Sequence, residues 1–579
     1  MQYDSPYARR RAAVLIGAMA GALIGTWAAS AHDRNGRSTE LGIVRVMPEA
    51  PRGHAVLRLA GMGPLSWTVT ANAEAQAWFD QGLNLAWGFN HAEAVRAFRS
   101  GQAADPGCAM CFWGEAWALG PNINAPMAPG ALPQAREAIA RARAAAGGAS
   151  AAERALIDAM AERYGPDALV DPAAAATAYA EAMRTVAARF PADREITLLA
   201  ADALMNLSPW DYWAEGGRVA KGATEEIIAH LEAVLGLVPR PGLVPAPDHV
   251  GAIHLYIHMV EASDRPERAL PVAERLASLA PAAGHLVHMG SHILYRVGRY
   301  KESLALNREA VAADRAYIAA AAPEGLYPQA YYPHNIHMLL ASAQMAGDAA
   351  TVLAAADELA ATVTEDAARD IAWVQPIMAA PWFALAQFGT SDAILGTHHS
   401  DGGLPYVQAA RRYARAIGLA RAGDTAAASG ERDELARLAE APEIAALEQG
   451  GVPARALISL MGAVAEGRIA QAEGRASDAI AAFREAASIE EGLPYTEPPF
   501  WYYPVRQSLG AALLSAGDIA GAEAAFRDSL RGAPRNGWAL WGLAEAARRR
   551  NDAAAAEEAE RLLSEAWVGE RSLLRLERL

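Results

Sequence analysis

The chain has 579 residues, too many for one compact core, so several domains or a repeat array are expected. Hydrophobic residues at 53% and charged residues at 20% exclude a disordered chain and suit packed helices. A formal net charge of −15 argues against nucleic acid, which needs a basic surface, and is compatible with attracting cations.

The N-terminus reads as an export signal. Arg9, Arg10 and Arg11 make a basic n-region, Ala12 to Ala28 an apolar run, and Ala29-Ser30-Ala31 a small-residue cleavage site. A signal peptide over 1–31, removed to leave His32 first, sends the remainder to the periplasm or outside the cell. Retained as a signal anchor, the same run is the one route to membrane contact. An N-terminal arm at 32–71 precedes the first periodic segment.

Helical repeats are expected over 72–237. Trp78, Gly82, Leu85, Ala94, Phe98 and Pro106 stand in order, with Gly-to-Ala, Ala-to-Phe and Phe-to-Pro steps of 12, 4 and 8. The same steps return at Gly510, Ala522, Phe526 and Pro534, and a partial copy lies at Gly467, Gly474, Ala479 and Phe483. Small residues let two helices approach, an aromatic fills the gap and proline ends the second helix. The pattern resembles the tetratricopeptide repeat. The expected fold class is all-α: an α-solenoid, or superhelix, of tetratricopeptide-like helix pairs. A Pro-rich linker at 238–248 leads through Asp248, the expected N-cap, into a His-rich core at 249–365. A helical segment at 366–450, broken at Pro376, Pro381 and His398–Gly403, separates that core from C-terminal repeats at 451–579.

Seven of the 14 histidines fall in three short stretches of the core: His254 and His258, then His285, His288 and His292, then His334 and His337. Spacings of three, four and seven residues put side chains on one face of a helix. Counting from the repeat markers, the close-packing glycine slot of each first helix falls at Ile257, Ser291 and Leu340, and Asn307 stands where an aromatic belongs. The seven histidines lie six before, three before or one after that slot, with Glu261 four after. Likeness to the repeat implies that this face lines a concave groove, so imidazoles from three successive helices should converge there. Cys108 and Cys111 keep the same phase ahead of Gly114, with Glu115 one after.

Neutral imidazole is a common ligand for zinc, copper and iron, and seven rings exceed the three or four that one site takes. The expected metal ligands are His254, His258, His285, His288, His292, His334 and His337. Copper is favoured by the His-rich donor set and by export, with zinc or iron as alternatives. Glu261 is the candidate catalytic residue, as ligand or general base. Cys108, Cys111 and Glu115 form a second candidate site, open equally to a disulfide or an inert pair. Met259, Met289 and Met338 each follow a histidine and diverge from it by about 100°, which makes them core filler. The competing reading is a metal-free scaffold that holds a small molecule, peptide or protein in the groove. Nitrogens that share an ion should approach within about 4 Å, twice a bond of roughly 2.0–2.1 Å.

Longer stretches add a resemblance. Cys108–Glu115 with Gly120–Asn124, Gly284–His292, Tyr331–His337 and Trp501–Gly510 together resemble a group of bacterial tetratricopeptide-repeat proteins with His-rich central repeats. The likeness covers most of the chain after residue 72 and implies the fold, with no settled activity. In that group proline usually holds the place of Gly290, which implies a different bend in this helix. No nucleophile–base pair, phosphate loop or dinucleotide fingerprint stands out, so any reaction has to be metal-assisted.

Overall fold

Where the repeat spacing calls for glycine against an aromatic, the two interlock. The computed structural model describes residues 56–579 apart from 129 and 170, together with backbone strands at Ser30–His32, Ser38–Glu40 and Ile43–Met47. Across them 26 α-helices follow one another, most of them in packed pairs. Phe98 lies between Gly82 of its own pair and Gly114 of the next. A Cβ on Gly82 would stand 2.7 Å from that ring, and one on Gly114 2.5 Å. Phe526 is held likewise between Gly510 and Gly542, at 2.7 and 2.3 Å, and Phe483 packs on Gly467 at 2.7 Å. Real Cβ atoms do not approach so closely, so packing demands the glycines. All three rings are fully buried, each contributing about 1.5–3 kcal/mol.

The N-terminal arm departs from the all-α expectation. Val56–Leu59 pairs antiparallel with Ile43–Met47. Residues 56–70 then strap along the Ala73–Trp87 helix, whose amides bond the arm's backbone. Gln81 Nε2 donates to Leu57 O at 2.7 Å and Asn84 Nδ2 to Leu65 O at 2.8 Å. The basic n-region and apolar run of the expected export signal lie outside the described residues. Among the described residues no helix is long and apolar enough to cross a membrane.

Two expected boundaries move. His249, not Asp248, caps the Val250–Val260 helix, its Nδ1 accepting from the Ala252 amide at 3.2 Å. The Val374–Phe388 helix runs through Pro376 and Pro381 instead of breaking at them. Pro376 sits in the first turn, where no N–H is needed, and Pro381 forfeits one bond in a helix buried at every position but Gln375. The break at His398–Gly403 is present, between Ser391–Gly396 and Pro405–Ala422.

Both ends of the solenoid fold back on its middle. The Ala73–Trp87 helix packs on Val250–Val260, where a Cβ on Gly251 would stand 2.5 Å from Trp87. From the other end, Val568 N donates to Ala346 O at 2.9 Å and Trp538 Nε1 to Gln344 O at 3.4 Å. One large apolar cluster runs from Val56 to Tyr331 and another from Tyr295 to Leu579. They meet at the His-rich helices, so the expected open groove is a covered interior.

Candidate metal centre

Three helices carry the histidines: Val250–Val260, Gly284–Arg296 and Tyr332–Ala346, the last entered through a π-turn at Tyr327–Tyr331. Six of the seven rings come together. His254, His258 and His285 offer nitrogens within 4.8 Å of one another, and so do His288, His292 and His334. The two triads adjoin, with ring centres 5.6 Å apart for His258 and His292 and 5.8 Å for His285 and His288. Five of the six are at most 2% exposed; His334 is partly covered.

The bonds behind the rings decide which nitrogens face inward. His254 Nδ1 donates to Trp87 O at 2.6 Å. A carbonyl oxygen only accepts, so this ring keeps its proton on Nδ1 and its Nε2 is an unprotonated acceptor. His288 Nδ1 meets Asn307 Oδ1 at 2.8 Å, and Asn307 Nδ2 donates to Ser303 O at 2.9 Å, which identifies the amide oxygen as the atom facing the ring. His258 Nδ1 donates to Glu261 Oε1 at 2.8 Å, and His292 Nδ1 to Glu261 Oε2. Inward-facing nitrogens then crowd together. His254 Nε2 and His285 Nε2 are 3.1 Å apart, and His288 Nε2 lies 2.6 Å from His292 Nε2 and 3.0 Å from His334 Nε2. Bare lone pairs so placed repel unless a proton or a metal ion lies between them. A proton bridges two nitrogens; His288 Nε2 faces two partners at once, which suits a metal ion.

Burial pushes His254, His285, His288 and His334 well below the ordinary imidazole range, with neighbouring rings adding to the effect. Burial lowers His258 as well. Burial alone would also lower His292, but the Glu261 carboxylate outweighs it and raises that ring. Burial would raise Glu261, yet His292 and His258 hold its carboxyl down to about 2. Neutral imidazole is the form that binds metal.

Three expected assignments change. His337 stands outside both triads: its Nε2 bonds Tyr502 Oη at 2.6 Å, and burial pushes it down to about 3. Glu261 is fully buried with one oxygen accepting from His258 and the other from His292, so it orients rings. With those two rings it forms a third group whose atoms lie within 4.8 Å of one another and could hold a metal. Cys108 and Cys111 are joined in a disulfide, while Glu115 bonds Arg99 Nε and Gln102 Nε2, both at 2.6 Å. Disulfide sulfur is not the thiolate a metal takes, so these three do not form a second site. Met259, Met289 and Met338 are core residues at 0% exposure, as their helical phase requires. The Gly284–Arg296 helix is continuous through Gly290, where a Cβ would meet Ala273 O at 2.9 Å.

Several residues of the site carry no motif. Trp87 offers a backbone oxygen. Phe89 packs its ring 4.3 Å from that of His254, and Trp210 stands 5.3 Å from His258. Buried Asp314 accepts from Tyr327 Oη at 2.8 Å, and that hydroxyl in turn accepts from the His285 amide at 3.2 Å. Asn307 left the clearest trace. Sixteen residues after the slot at Ser291, where Phe98 follows Gly82, an amide replaces the aromatic and grips His288.

No family model matches the chain, and no curated protein does. Among solved structures the chain is similar to the human IFIT1 dimer with PPP-AAAA, at 12% identity over 86% of this chain and 91% of that one, with a TM-score of 0.29. It is similar to yeast Tom70 at 10% identity, over 85% and 90% of the two chains, with a TM-score of 0.25. For the Cut9 hetero-tetramer with Hcn1 the figures are 11%, 87%, 96% and 0.25. Likeness this distant says nothing about the site. The α-solenoid of tetratricopeptide-like pairs stands on the interlocked glycine and phenylalanine contacts.

Proposed function

We propose that this chain binds transition metal, copper before zinc, at two adjoining trihistidine sites and acts outside the cytoplasm as a metalloprotein. The sites are His254, His258 and His285, and His288, His292 and His334. The observation that carries the reading is the set of bonds to Trp87 O, Asn307 Oδ1 and Glu261, which hold four Nδ1 atoms and turn four Nε2 atoms inward. Metal-bound histidine is oriented in this way in general, through a hydrogen bond on the ring's other nitrogen. An all-imidazole set suits copper and zinc. A di-iron centre takes several carboxylates as ligands, and the one carboxylate here stands behind the rings. Whatever reaction the protein performs would be metal-dependent, with Glu261 as a positioning residue.

The alternative is a metal-free scaffold for a protein or peptide. A peptide groove must be open to an incoming backbone, and these histidines are covered from both ends of the solenoid, which favours the metal reading. Elemental analysis of the full chain after loading decides between them. About two ions per chain are expected, one for each triad. Less than about 0.2 ion per chain would overturn the proposal and leave the scaffold.

A further inference from the structure

Beside the His254 triad lies a cavity of about 280 Å³, walled chiefly by Phe89, Val95, Ala118, Leu119, Pro126 and Leu326. No Asp, Glu, Lys or Arg lines it, and its one imidazole, His91, is kept neutral by burial, which pushes it down to about 4. Asn122, one of its few polar groups, spends its side-chain oxygen on the amides of Asn124 and Ala125, at 2.8 and 2.9 Å. Such walls reject a charged guest, which would lose its hydration for nothing in return. A dry cavity of roughly 150 Å³ accommodates benzene, so this one has room for a substituted ring.

Phe89 separates the cavity from the histidines. It stops the Ala73–Trp87 helix at φ +56°, with the next amide, Asn90 N, returning to Leu85 O at 2.9 Å. The same stop is glycine at Gly298, Gly347, Gly423, Gly474 and Gly517, with φ between 73° and 87°, and asparagine at Asn551, at φ +61°, a small polar residue that tolerates this region. A bulky side chain in this left-handed region is an outlier, and such outliers gather at working sites. Here the ring lies 4.3 Å from His254, 5.6 Å from His285 and 6.1 Å from His258, centre to centre.

We propose that this cavity is the access chamber for a small uncharged molecule of about one aromatic ring, and that Phe89 gates its passage to the His254, His258 and His285 site. The gate rests on the metal reading; the chamber stands without it.

Phenol tests the chamber on the full-length, metal-free protein by saturation-transfer NMR, with benzoate as the charged control. Saturable phenol binding is expected, with none for benzoate and at least about tenfold weakening in Ala128→Trp, which plugs the exposed rim. Absent phenol binding, equal benzoate binding, or an Ala128→Trp variant that binds phenol normally would overturn the chamber. Carbon monoxide tests the gate on the copper(I)-loaded chain by stopped flow. Phe89→Gly should speed its association about tenfold, with Phe89→Leu intermediate and both folded by circular dichroism. Unchanged rates in both variants overturn the gate. A chain that takes up no copper overturns the metal reading and the gate with it, while phenol still decides the chamber.

Discussion

Glu261→Gln isolates the part of the site that holds both triads in register. The carboxylate accepts from His258 on one oxygen and from His292 on the other. Glutamine keeps the shape but offers one acceptor oxygen and one N–H₂ group. Only one ring can then go on donating through Nδ1. The other meets a donor and must either leave a buried N–H unsatisfied, at about 1–3 kcal/mol, or move its proton to Nε2 and cease to be a ligand. Losing such a partner typically weakens metal binding about 10–100-fold, or roughly 1.4–2.7 kcal/mol. His258 and His292 belong to different triads, so the expected outcome is asymmetric. One binding step should stay within about threefold of wild type while the other weakens about 100-fold. Glu261→Ala, which removes both acceptors, should weaken both steps. Competition against a chromophoric chelator at neutral pH, with zinc and with copper(I), resolves the two. Two unchanged tight steps in Glu261→Gln would show that the carboxylate does not set the rings.

Replacing His288 and His292 together by Ala should remove the ion of that triad while the helical circular dichroism stays nearly intact, whereas His337→Ala should keep full metal content; the reverse pattern in elemental analysis would refute the ligand assignment. Acid should remove the stability that depends on His337 staying neutral in the metal-free chain. His337 is neutral in both states above about pH 6.5; below it the unfolded chain takes a proton that the native ring, held at about 3, refuses. Stability is therefore lost as pH falls, by about 2 kcal/mol for this group at pH 5. His254, His285 and His288 act in the same direction, while His292 and the raised carboxyls of Asp314, Glu490 and Glu497 oppose them. The measure is therefore the melting-temperature difference between wild type and His337→Gln; a difference that stays flat from neutral pH to pH 5 would contradict the burial argument. Gly542→Ala would put a Cβ 2.3 Å from Phe526 and should cost about 1–3 kcal/mol in thermal unfolding without changing metal content. An unchanged melting temperature would mean that this glycine is not held by packing.

What could be read from the chain alone follows the range over which each constraint acts. Gly82, Phe98 and Gly114 are legible because a ring and two hydrogens must meet at fixed steps along successive helices of neighbouring pairs. The histidines were legible for the same reason, since i, i+3, i+4 and i+7 spacing fixes a face whatever the helix packs against. What that face meets is set by chain far away. His334 and His337 are three residues apart on one helix, yet one reaches His288 and the other Tyr502, 165 positions on. Trp87 O reaches His254 across 167 positions, and nothing in a backbone carbonyl marks it in sequence. Glu261 shows the same gap at short range: its spacing from His258 was visible, but its use on His292 depends on how two helices cross. Only Asn307 announced itself, because a repeat grammar makes a departure from itself readable. At a position where three other pairs put phenylalanine to fill space, an amide is a packing loss with one evident return, the orientation of His288. A repeat protein therefore discloses a site best where it breaks its own rule. The paired substitutions at Ser291 and Asn307, read together, would have pointed to His288 as an oriented ring before any coordinates.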